Sequence, residues 1–150
     1  MTTHDALADE LLRGAARLSR WATRTADLGM PWAQARVLAL VDELGPTRVT
    51  TLAAADDCSQ PSMTTTVQRL EALGLVTRTP DPADARATLV TLTVEGADRL
   101  TRLRRARGAA LTPVLARVAP DETRLRDAVA LLTELLEATR APSAPQREDT

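Results

Sequence analysis

Residues 59–93 read SQPSMTTTVQRLEALGLVTRTPDPADARATLVTLT, and the order of signals within them decides the fold. Ser59 is a good helix N-cap, and Pro61 is tolerated in a first turn, where its missing N–H costs nothing. A helix is predicted from there to about Leu73, with Gly74 as its stop. Met63, Val67 and Leu70 recur at the spacing of one buried stripe. Pro61, Ser62, Thr65, Gln68 and Arg69 fall on the opposite side, which is small, polar and charged only at Arg69. Two β-like segments follow. Leu75–Thr79 is rich in β-branched residues and Ala87–Thr93 alternates. The turn formers of residues 80–86, PDPADAR, lie between them and predict a hairpin.

Upstream, residues 5–28 predict an amphipathic helix. Leu7, Leu11, Ala15, Leu18 and Ala22 make its apolar stripe, Arg13, Arg17, Arg20 and Arg24 lie on other faces, and Gly29 stops it. Pro31 suits the start of a second helix, which carries Val37, Leu38, Leu40, Val41 and Leu44 and ends at Gly45-Pro46. Residues 50–56 predict a short Ala-rich helix capped by Thr50, broken at Asp57-Cys58. Downstream, Thr93 caps a long helix from Val94 to about Val118, distorted at Pro113. Pro120 starts a last helix with Asp121 and Glu122 in its first turn. Leu125, Val129, Leu132, Leu135 and Leu136 form its apolar face. Residues 141–150 read as a disordered tail.

Composition narrows the function. The chain has 150 residues, enough for one domain with a real core. Ala, Leu and Arg are 27, 23 and 19 of them, a bias towards helix. Cys58 is the only cysteine, so no intramolecular disulfide forms. His4 is the only histidine and lies near the terminus, which argues against a His-ligated metal site or a Cys–His dyad. No cofactor is expected. No apolar run approaches the ~20 residues of a membrane span, and residues 1–12 lack the pattern of a signal peptide. A cytoplasmic protein with no membrane partner is expected. The formal net charge is -1, but charge is uneven. Residues 61–107 carry eight Arg against five acids and residues 120–150 four Arg against seven acids. A basic middle hints at a polyanion, although charge runs also mark ordinary solvated helix faces.

The predicted fold is mainly α with a small β-wing: a helix-turn-helix followed by a hairpin, between outer helices. Such a unit sets its second helix in the major groove of double-stranded DNA. Small polar side chains that let the backbone approach, as Ser62, Thr65 and Gln68 do, suit base reading there. The outer helices carry more apolar surface than a three-helix core covers, and pairing with a second copy is the simplest way to bury it.

The sequence resembles the MarR family of winged helix-turn-helix transcriptional regulators over roughly residues 5–140. The resemblance is densest in Gly45-Pro46, Leu52-Ala53, Ser59-Gln60-Pro61-Ser62, the run Arg69–Val76, Asp84-Ala85-Arg86, and Val90–Thr93 with Gly96. It implies one domain over residues 1–150 that assembles as a triangular homodimer. Residues 5–29 and 110–140 would supply the dimerisation helices, 30–109 the winged helix-turn-helix with its linking helix, and 141–150 a tail. It further implies a repressor of an inverted-repeat operator, with helix 59–73 in the major groove and wing 80–88 in the minor groove. The implied DNA contacts are Ser59, Gln60, Pro61, Ser62, Thr64, Thr65, Gln68, Arg69, Arg78, Asp84 and Arg86, with Arg86 at the wing tip and Asp84 orienting it. A narrow minor groove concentrates negative potential, which Arg exploits. Three positions depart from the family pattern: Thr65 where Arg is frequent, Ala85 where a second wing arginine is usual, and Asp56 where an apolar residue packs the short helix. A buried carboxylate there needs a partner.

Three further features have two readings each. Trp21, Met30 and Trp32 are either core packing or, as the resemblance implies, part of a pocket for a small aromatic or lipophilic effector. Cys58 is either a thiol activated by a helix N-terminus or a small apolar residue at a turn. Arg99, Arg102, Arg104, Arg105 and Arg107 read as a solvated face of the long helix. The alternative function is a helical dimer that binds a protein or ligand and has lost DNA binding. An enzyme is the weakest reading: there is no Tyr, no histidine base, no Gly-rich phosphate loop and no evident pair of carboxylates.

Overall fold

The computed structural model describes residues 2–118 and 121–140, with the side chain at position 85 left aside. Six helices and one hairpin follow in the order α1 (Thr3–Thr25), α2 (Trp32–Leu44), α3 (Val49–Ala55), α4 (Gln60–Ala72), β1 (Val76–Asp81), β2 (Asp84–Leu92), α5 (Val94–Val118) and α6 (Glu122–Arg140). The chain is therefore mainly helical with a two-stranded antiparallel wing. It divides into two units, one ending at Leu111 and one beginning at Thr112.

In the first unit the core gathers the inward stripes of α2, α3 and α4 with one residue from each strand and two from α5. Leu38, Leu52, Val67, Leu70 and Val90 are completely buried, with Met63, Val37, Val41 and Val76 close behind. Each such Leu contributes roughly 1.5–3 kcal/mol relative to an exposed one. This packing places Met63, Val67 and Leu70 of α4 inward, as their spacing predicts, and frees the opposite face.

The caps explain most element boundaries. Thr2 accepts from the Asp5 N–H while Asp5 accepts from Thr2, a capping box that starts α1 earlier than the apolar period suggests. Its end also differs from expectation. α1 closes at Thr25 with Ala26 extended, and Gly29 serves the following turn with φ +58°. Arg48, not Thr50, stands at the N-cap of α3, and Thr50 lies inside the helix. Ser59 caps α4 by accepting from the Ser62 N–H. Between α3 and α4, Asp57 adopts φ +50°, a left-handed conformation that Asp tolerates better than most residues. Thr93 caps α5 through the Gly96 N–H, and its hydroxyl donates to the Gly74 carbonyl.

The hairpin is longer than the sequence suggests. Residues 80–86 read as loop, yet the strands run to Asp81 and from Asp84, leaving Pro82 and Ala83 as the turn. Carboxylates replace the missing ladder bonds: Asp81 accepts from the Ala83 N–H and Asp84 from the Arg86 N–H. Thr47 and Val90 also exchange both backbone bonds, at 3.2 and 2.7 Å, a β-bridge that no sequence pattern announced.

In the second unit α6 begins where Asp121 accepts from the Arg124 N–H. Leu125, Val129, Leu132, Leu135 and Leu136 are all exposed. The expected helix start at Pro120 and the expected tail 141–150 lie outside the described residues. Among the described residues no helix is long and apolar enough to cross a membrane.

Candidate nucleic-acid interface

The free face of α4 is the first part of the site. Ser59, Gln60, Pro61, Ser62, Thr65, Gln68 and Arg69 are exposed, and Thr64 is half-buried. Their hydrogen bonds limit what they offer. Thr64 donates its hydroxyl to the Gln60 carbonyl at 2.8 Å, Thr65 to Pro61 at 3.0 Å and Thr66 to Ser62 at 3.1 Å. Ser59 donates to the Ser62 hydroxyl at 2.9 Å. With their protons turned to the helix, the exposed Thr oxygens keep lone pairs and act as acceptors. In a major groove the matching donors are the exocyclic amines of cytosine and adenine. Gln68 and Arg69 supply donors on the same face.

The turn that sets α4 is held by charge. Asp56, at the end of α3, has 18% of its side chain exposed and pairs with Arg36 of α2. This is the partner that a carboxylate at an apolar position requires, and it lies twenty residues away in sequence. Cys58 is half-buried and packed against the core. Burial first, and then the negative charge of Asp56, push its thiol pKa up. Both effects oppose the activated-thiol reading and favour that of a small residue packed at a turn.

The wing is the second part. Arg86 is exposed near its tip, and its backbone N–H donates to Asp84 Oδ1 at 3.0 Å. The second oxygen of Asp84 faces Arg48 at 3.6 Å. Arg48 itself donates to Asp81 Oδ2 from Nε at 2.9 Å and from a terminal nitrogen at 2.5 Å. Asp81 is buried, and its pKa is lowered, mostly by the Ala83 N–H and then by Arg48. The Asp81 bond in turn raises the pKa of Arg48. Sequence reading missed Arg48; its one available signal was an arginine beside a helix start. Arg78, expected on the DNA side, is half-buried with its Nε 3.3 Å from Glu71.

The long-helix arginines are not simply a solvated face. Arg99 donates to the carbonyls of Leu28 and Gly29 at 3.0 and 2.6 Å. Arg104 donates to Asp42 at 2.8 Å. Arg107 donates to the Ser19 hydroxyl at 2.7 Å and stands 5.3 Å from the centroid of the Trp32 ring. These side chains tie α5 to α1, α2 and the loop between them, because an arginine stem is long enough to reach a neighbouring element.

The aromatic trio is divided. Met30 and Trp32 line an open cavity of about 680 Å³ with Ser19, Thr23 and Leu28. Trp21 instead lines a groove of about 610 Å³ with Arg17 and Leu18. Two residues along a helix turn by about 200°, so Trp21 points away from Ser19 and Thr23 on α1. Among the described residues no group of three or more His, Cys, Asp or Glu could hold a metal ion.

Residues 30–88, from the start of α2 into the wing, match the model of the MarR family. Over that segment the chain is similar to the winged helix-turn-helix of the MarR family. The likeness extends beyond that segment. A transcriptional regulator of Thermotoga maritima is 26% identical with a TM-score of 0.70, over 89% of this chain and 96% of that one. Wild-type MarR of Escherichia coli shares the fold at 24% identity and a TM-score of 0.61, over 94% and 99% of the two chains. A mutant of that protein crystallised with operator DNA aligns at 24% identity and a TM-score of 0.57, over 91% and 94%. No curated protein matches by sequence. In MarR terms α3 and α4 are the helix-turn-helix, and β1 and β2 are the wing.

Proposed function

We propose that this chain is a DNA-binding transcriptional regulator, a repressor that binds an inverted-repeat operator as a homodimer. The observation that carries the reading is the outer face of α4. It is exposed, small and polar from Ser59 to Arg69, while the inner face of the same helix is completely buried. A helix so divided can enter the major groove without disturbing its core. Arg86 at the wing then reaches the minor groove, and Arg69 and Arg86 carry most phosphate affinity. Arg78, held by Glu71, contributes less. The Escherichia coli relative crystallised with operator DNA supports the same use of the fold.

The dimer rests on uncovered apolar surface. In α1, Leu7, Leu11, Leu12 and Leu18 are exposed, and in α6 so are Leu125, Val129, Leu131, Leu132, Leu135 and Leu136. Monomers rarely leave such stripes in water. Two copies would set their α4 helices about 34 Å apart, one turn of DNA. The cavity beside Met30 and Trp32 suits a small aromatic or lipophilic effector whose binding favours a different spacing of the two helices and so releases the operator.

Fluorescence anisotropy with the DNA flanking the protein's own gene, across a salt series, tests the reading. Binding should prefer that DNA over scrambled sequence and weaken steeply with salt. Arg86→Ala should reduce the salt slope by about one. Binding no better than to scrambled DNA, for the flanking DNA and for a broad pool of genomic fragments, would favour a helical dimer that binds protein or ligand instead.

A further inference from the structure

We propose that Arg48 is the positioning residue of the wing, holding the Pro82–Ala83 turn against the helix-turn-helix so that Arg86 is presented to the minor groove. The inference rests on the DNA-binding reading.

Arg48 immediately precedes α3, yet its side chain makes no cap there. It reaches across to the wing, 33 residues on, and bonds Asp81 Oδ2 with two donors. The same guanidinium lies 3.6 Å from Asp84 Oδ2. Both carboxylates are thus divided in the same way. One oxygen faces Arg48, and the other accepts a wing backbone N–H, of Ala83 for Asp81 and of Arg86 for Asp84. The tip has little else to direct it. The strand register breaks between Pro80 and Asp81, so the regular ladder ends at Pro80–Thr88. Arg48 supplies the direction that the ladder lacks.

The pair differs from an ordinary surface ion pair. Asp81 is 8% exposed, so water competes poorly for it. A forked donor is also required. Arg offers two parallel N–H groups to one carboxylate oxygen and still lies beside a second carboxylate, whereas Lys offers one compact charge.

The test uses the full-length chain and a duplex recovered from a random-sequence pool by the wild-type protein. Arg48→Met, Arg48→Lys, Arg86→Ala and the Arg48→Met/Arg86→Ala double variant are compared by anisotropy over a salt series, with thermal melting to establish that each is folded. Arg48→Met should weaken binding about tenfold, the size of a coupled contact. Most of that loss should vanish in the Arg86→Ala background, and Arg48→Lys should recover part of it. If the two losses multiply, with the salt slope falling by about one for each, Arg48 touches phosphate itself and the proposal is overturned. A folded Arg48→Met that binds like wild type also overturns it. Failure of the wild type to recover any duplex would instead remove the DNA-binding reading on which the proposal stands.

Discussion

Gly96 of α5 packs so closely on Leu75 that a Cβ at position 96 would stand 1.9 Å from the Leu75 carbonyl oxygen. That oxygen cannot easily move, since it accepts from the Thr93 N–H at 3.1 Å while the Leu75 N–H is bound to Leu70. The contact fixes the start of α5 against the start of the wing. Gly96→Ala should therefore lower stability by about 1–3 kcal/mol or more, the cost of overpacking against rigid backbone. Gly108→Ala, on the same helix with nothing within 4 Å of its Cβ, should gain up to about 1 kcal/mol. Urea midpoints of the two variants should move in opposite directions; a shared direction would refute the packing argument.

The Arg36–Asp56 pair makes an asymmetric prediction. Asp56 has 18% of its side chain exposed and Arg36 has 49%. Removing the arginine leaves a poorly hydrated carboxylate, whereas removing the carboxylate leaves a guanidinium that water can solvate. Arg36→Met should cost about 1–3 kcal/mol, and Asp56→Ala less. Chemical denaturation of both variants checks the order, and the reverse order would overturn the argument from burial of the carboxylate.

Cys58 should react slowly with iodoacetamide near neutral pH and faster as pH rises, because burial and Asp56 hold its thiol pKa above the ordinary value. Asp56→Asn should bring the reactivity profile to lower pH. Rapid alkylation of the wild type at neutral pH would return the activated-thiol reading.

Asp81 should make the wing acid-sensitive. Its folded pKa lies below the unfolded value, through the Ala83 N–H first and Arg48 next. Its contribution is therefore fully present above the unfolded pKa of about 4 and is lost as pH falls through the lower folded value. Arg48 stays charged throughout that window. Hydrogen exchange of the Ala83 amide should accelerate as the solution is acidified below about pH 4, after correction for intrinsic rates. In Asp81→Ala, which has no side-chain acceptor, the Ala83 amide should exchange quickly at every pH, with no such step.

Much of the candidate face of α4 was legible in the chain because its signals are local. Ser59 followed by Pro61 starts α4, the spacing of Met63, Val67 and Leu70 turns one face inward, and the polar face is what remains. Thr93 announced α5 in the same way. The wing was harder. Asp81 and Asp84 look like turn formers in any listing of residue types, and only the fold shows them extending the strands. The resemblance put Trp21, Met30 and Trp32 in one pocket, whereas Met30 and Trp32 line one cavity and Trp21 lines another.

The sequence by itself determined the elements, their order and the polarity of each helix face. Those depend on periodicity, caps and turn residues within a few positions of one another. Tertiary structure alone decided which arginine meets which partner. Arg36 and Asp56, Arg48 and Asp81, Arg99 and the Leu28 carbonyl, and Arg107 and Ser19 are separated by twenty to nearly ninety residues. With 19 arginines on the chain, no local pattern distinguishes a solvated one from a clamp. Long stems and non-directional charge leave that choice to the distances that core packing creates.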